Sequence, residues 1–95
     1  MKKFLILHYG FEKPTPEDME GWNKWFTSLA DRKVEQSGFS GGKEITGSGT
    51  SDLPFASDSI TGYTVIQAED LDAATSIAKQ CPIDLSTRVY EIRKH

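Results

Sequence analysis

Two segments, KKFLILHY from Lys2 and ITGYTVIQA from Ile60, carry apolar residues on both of the faces that a strand's two-residue repeat creates. The run from Phe4 to Leu7 is unbroken; in the other segment Ile60, Thr64 and Ile66 share one face and Tyr63 and Val65 the other. Such strands need cover above and below, so both belong in the middle of a sheet. What lies between them decides which sheet. TPEDMEGWNKWFTSLADRKVEQSG reads as a helix running to Gly38, with Thr15 as N-cap, Pro16 in the first turn and Glu17 and Asp18 complementing the helix dipole. Its apolar stripe is Met19, Trp22, Phe26 and Leu29, and Gly21 weakens its first turns.

GGKEIT then gives a weak edge strand, and GSGTSDLPFASDS a long loop. EDLDAATSIAKQCP is a second helix that starts near Asp70, turns Leu71, Ala74, Ile77, Ala78 and Cys81 inward and stops at Pro82; STRVYEIRKH is the last strand. The order β, α, β, β, α, β, with right-handed crossovers, predicts a single α+β domain over residues 1–95. The expected architecture is ferredoxin-like: a four-stranded antiparallel sheet with the two most apolar strands central and both helices on one face. The other face is then apolar and bare, which predicts a homodimer packed through the sheets.

Composition narrows the function classes. Ninety-five residues bury a core without metal or disulfide, and no apolar run reaches the roughly 18 residues of a membrane span. The N-terminal apolar run is shorter than a signal peptide's and ends in His8 and Tyr9, so it reads as a strand. A single cysteine, Cys81, leaves no intramolecular disulfide or zinc cluster and points to a reducing, cytoplasmic setting. Cys81 reads as packing, since a helix C-terminus disfavours its thiolate. A formal charge of −3 opposes phosphate tracking. The RNA-recognition motif shares the strand and helix order, but ITGYTVIQA offers Tyr63 as its only aromatic and no basic residue. No phosphate-cradling or nucleophile-elbow motif is present, so no cofactor and no metal is expected.

DLPFA at Asp52–Ala56, the following ITGYTVIQAEDLDAATSIAKQCP and the closing VYEIRKH together resemble the YCII-related family in its DGPF-containing branch. FLILHYG is similar to that family's first strand. The resemblance implies a dimeric α+β barrel, whose relatives include muconolactone isomerases, cofactor-independent monooxygenases and stress-responsive proteins. It also implies that the loop joining the second and third strands sits near a cleft. Leu53 stands where the family signature has glycine. The His-Asp pair proposed in part of the family, with its histidine in the first helix, has no counterpart between Thr15 and Gly38.

The candidates for chemistry are few. His8, ending a central strand beside Tyr9, is the candidate acid or base, because only histidine titrates near neutrality without a shift. Asp52, or Asp58, is the candidate carboxylate to orient it, if the loop folds back; turn capping is the commoner use of such residues. Phe55, fixed by Pro54, is expected to roof the cleft, Trp25 to line its mouth or make a dimer contact, and Tyr63 to meet a ligand or second subunit. Trp22 is expected in the core, and His95 at a frayed end. Two functions follow: a small cofactor-independent enzyme of isomerase, lyase or oxygenase type, working between sheet, first helix and the 52–56 loop, or a noncatalytic homodimeric module binding a small molecule or protein.

Overall fold

The computed structural model describes residues 1–10, 15–54, 56, 58–83 and 85–93. Its elements run β1 (Lys2–Tyr9), α1 (Pro16–Ser28), β2 (Lys33–Gly38), β3 (Gly42–Thr46), β4 (Gly49–Leu53), β5 (Ile60–Ala68), α2 (Leu71–Ala78) and β6 (Ser86–Glu91). Four strands form an antiparallel sheet in the order β2-β5-β1-β6, while β3 and β4 form a separate hairpin. The chain is thus α+β, and the two most apolar strands take the inner places.

α1 begins as its sequence dictates. The Thr15 hydroxyl accepts from the Asp18 amide and the Asp18 carboxylate accepts from the Thr15 amide, both at 3.1 Å, a reciprocal cap behind Pro16. It ends at Ser28, ten residues before the expected Gly38. Residues 33–38 form the edge strand β2 on β5 instead, with the Arg32 carbonyl accepting from Gln67 alongside it. KVEQSG has no apolar alternation to announce a strand, and all six residues are exposed. GGKEIT is therefore not the edge strand of the main sheet. It pairs with Gly49–Leu53, which lies on β4 rather than in a loop, and Lys43 faces Asp52 directly.

Paired residues in a ladder share a face. Phe4, Ile6 and His8 on β1, with Thr64, Ile66 and Ala68 on β5 and Val89 on β6, look towards the helices. Trp25 and Leu29 of α1 and its C-cap, Ala74 and Ala78 of α2, and Cys81 close over them as one core. Trp25 also donates its indole N–H to the Ile77 carbonyl at 3.0 Å, tying the helices together. Two helical expectations fail here: Met19 and Leu71 are about half exposed, since the buried stripes centre on Trp25 and on Ala74. Gly21 has a positive reason, because a Cβ there would stand 3.3 Å from Pro82.

The opposite face carries Leu5, Leu7 and Tyr9 of β1, Tyr63 and Val65 of β5, and Arg88 and Tyr90 of β6. No described helix lies on it. One irregularity matters: Tyr9 pairs with Ile60 although His8 pairs with Gly62, so Thr61 is an extra residue, a bulge. The Thr61 hydroxyl lies 3.3 Å from both the His8 and Gly10 carbonyls and holds the bulge shut. The bulge turns Ile60 away from Thr64 and Ile66 and onto the open face with Tyr9.

Candidate functional site

The residues that sequence reasoning grouped as one site fall into two regions on opposite sides of the sheet. On the helix side, His8 is 8% exposed. Its Nε2 is 3.1 Å from the Thr64 hydroxyl, and two indoles pack perpendicular to the ring, Trp22 at 4.9 Å and Trp25 at 5.7 Å between centroids. Nδ1 is buried without a hydrogen-bond partner among the described residues. Loss of water on burial lowers the His8 pKa from 6.5 to about 4. The imidazole is therefore neutral at pH 7. Gly62 and Thr87 flank it across the ladder. Gly62 is required by the backbone, since a Cβ would come within 2.9 Å of the Ser37 carbonyl.

Asp52 does not orient His8. Its carboxylate, largely exposed, pairs with Lys43 at 2.6 Å across the hairpin, and the Nε2 of His8 is taken by Thr64. Trp25 does not line a mouth either: at 3% exposure it is the more buried of the two tryptophans, with Trp22 partly exposed. Three residues along a helix is less than a full turn, and the apolar count alone did not fix which indole faces the sheet. Phe55 and His95 lie outside the described residues. Cys81 is buried 3.8 Å from the Thr87 hydroxyl, and burial raises its pKa, so the thiol stays protonated.

On the helix-free side a cleft of about 690 Å³ opens between the sheet, the start of the β3–β4 hairpin and residues 54, 56 and 58–60. Leu7 and Tyr9 form its floor, Phe39, Leu53 and Ile60 its apolar walls, and Pro54, Ala56, Asp58 and Ser59 its lip. The lip is organised by one side chain: the Ser59 hydroxyl accepts from the Ala56 amide at 2.8 Å and donates to the Pro54 carbonyl at 3.1 Å. Tyr63 stands on the same face, stacked on Phe39 at 5.7 Å, and neighbouring Glu35 raises its pKa. The volume lies in the range of small-molecule sites, roughly 300–1,000 Å³. Sequence reasoning placed Pro54 near a cleft; it missed Phe39 and Ile60. Ile60 was hidden by the bulge, and Phe39 by the helix drawn through to Gly38.

No protein-family model matches the chain, and no curated protein sequence matches it. Among the described residues, no three His, Cys, Asp or Glu side chains gather as a metal site. No described helix is long and apolar enough to cross a membrane.

Proposed function

We propose that the protein is a homodimeric, noncatalytic module that binds a small organic molecule in the cleft of the helix-free face. The observation that carries this is the cleft itself: apolar walls, ligand-sized volume and a side-chain-pinned lip, on the face opposite the only described histidine. The strand order, with both helices on one side, supports a ferredoxin-like arrangement. Together with the resemblance to YCII-related proteins it supports a dimeric α+β barrel. Exposed Tyr90, with half-buried Leu5 and Tyr63 beside it, is the surface a second copy would cover. The hairpin points the same way, because a lone two-stranded hairpin is marginal in water and every residue of β3 and β4 is exposed. A single buried thiol supports a reducing, cytoplasmic setting.

One observation favours a second reading, an enzyme using His8 as acid or base: the unpartnered Nδ1. That role needs Trp22 or its surroundings to move, since Nε2 is engaged and the ring is enclosed. RNA binding is disfavoured by the charge of −3, although Tyr9, Tyr63, Tyr90 and Arg88 share the open face. The test is incubation of the wild type and Leu7→Glu with small aromatic and lactone compounds, following binding and compound integrity together. Saturable binding that Leu7→Glu abolishes, with every compound recovered intact, is expected. Saturable turnover that His8→Ala removes would replace this reading with the enzymatic one.

A further inference from the structure

We infer that the cleft selects an apolar or aromatic monocarboxylate, with Arg88 as the group that reads the carboxylate; this rests on the cleft being the ligand site. Arg88 projects from β6 on the helix-free face, directly across from Leu7, and its guanidinium lies over the Tyr9 ring at 4.8 Å. Leu7 and Tyr9 are the floor of the cleft, so the cation stands at the floor's edge. An aromatic face holds a guanidinium in position without neutralising it. Among the described residues Arg88 makes no ion pair, although the chain has 14 acidic side chains against 11 basic ones. Hydrogen bonding to the Tyr90 hydroxyl, with Tyr9 beside it, favours its charged form, and the remaining N–H donors of its planar fork are what a carboxylate would meet.

Among the described residues, Asp58 is the one acidic side chain lining the cleft. It precedes β5, on the side of β1 opposite β6, so the two residues come from strands on opposite sides of the floor. A ligand therefore finds a cation at one side, apolar walls between and an anion at the other. This geometry accepts one carboxylate attached to a hydrophobic body and repels a second carboxylate at the far end.

The experiment is an amide chemical-shift titration with benzoate, phenylacetate and hexanoate, each paired with its neutral amide, and with terephthalate as the dianion. Wild type is compared with Arg88→Met and Arg88→Lys, both at an exposed position that carries no core packing. The expected result is saturable shifts at Leu7, Tyr9 and Ile60, with the monocarboxylate at least tenfold tighter than its amide. Arg88→Met abolishes that preference, Arg88→Lys keeps part of it, and terephthalate binds more weakly than benzoate. Equal affinity for acid and amide, or a preference that survives Arg88→Met, overturns the assignment while leaving the cleft as the binding site. Absence of cleft shifts with every probe overturns both.

Discussion

Acidifying the protein should destabilise it through His8 before the bulk of its carboxylates are protonated. The folded chain holds this imidazole at a pKa of about 4 against 6.5 when water reaches it, and desolvation is the cause. A lowered histidine pKa means that protons bind the unfolded chain more tightly. The neutral ring's contribution is therefore complete above pH 6.5, is lost as pH falls below it and levels off below pH 4. At 1.36 kcal/mol per pH unit, the loss attributable to this one ring is about 1.4 kcal/mol at pH 5.5 and about 3 kcal/mol at pH 4. That is a sizeable part of the roughly 5–15 kcal/mol available to a small domain. Urea unfolding followed by tryptophan fluorescence at pH 7.5, 5.5 and 4, for wild type and His8→Phe, isolates it. Phenylalanine occupies a similar space between the indoles but takes no proton, so the difference between the two proteins should narrow or reverse as pH falls. The imidazole carbon shifts of folded wild type should titrate near pH 4. A midpoint near 6.5, or equal pH dependence in the two proteins, would refute the enclosed, neutral His8.

Three further outcomes follow from the packing. Trp25→Phe leaves the Ile77 carbonyl without its indole donor and opens space against His8 and Leu29, so it should cost about 2–3 kcal/mol in chemical denaturation, with Trp22→Phe costing less. Gly62→Ala places a Cβ 2.9 Å from the Ser37 carbonyl and should destabilise the sheet by about 2 kcal/mol, with amide exchange accelerated in β2 before β1. Asp52→Asn removes an exposed ion pair and should cost under about 1 kcal/mol, leaving the His8 titration unchanged; a moved His8 midpoint would reinstate Asp52 as its orienting group.

The sheet's two inner strands were legible in the sequence because β1 and β5 are apolar on both faces, a pattern with few alternatives. The starts of both helices were legible too: Thr15 with Asp18, and Asp70, whose side chain accepts from the Ala73 amide at 2.8 Å, are local caps that need no tertiary context. What failed was set by contacts distant in sequence. β2 has no alternation of its own and becomes a strand because β5 offers it an edge. Asp52 looked like a loop carboxylate until Lys43, nine residues earlier, was placed opposite it. The candidate site divided for a similar reason. Alternation puts His8 and Tyr9 on opposite faces although they are neighbours in sequence, and the bulge at Thr61 moves Ile60 from the core pattern to the cleft.

The most direct test of the account is a map of where small molecules touch the folded protein. Amide and methyl shifts of labelled protein are recorded while a fragment library of small aromatic acids, amides and lactones is titrated in, with single-stranded RNA as a separate arm. Bound compounds should shift Leu7, Tyr9, Leu53 and Ile60 and leave His8, Trp22 and Trp25 unmoved. Shifts centred on His8 and the two tryptophans, or a response to RNA that spreads over Tyr9, Tyr63 and Tyr90 without any small-molecule binding, would contradict it.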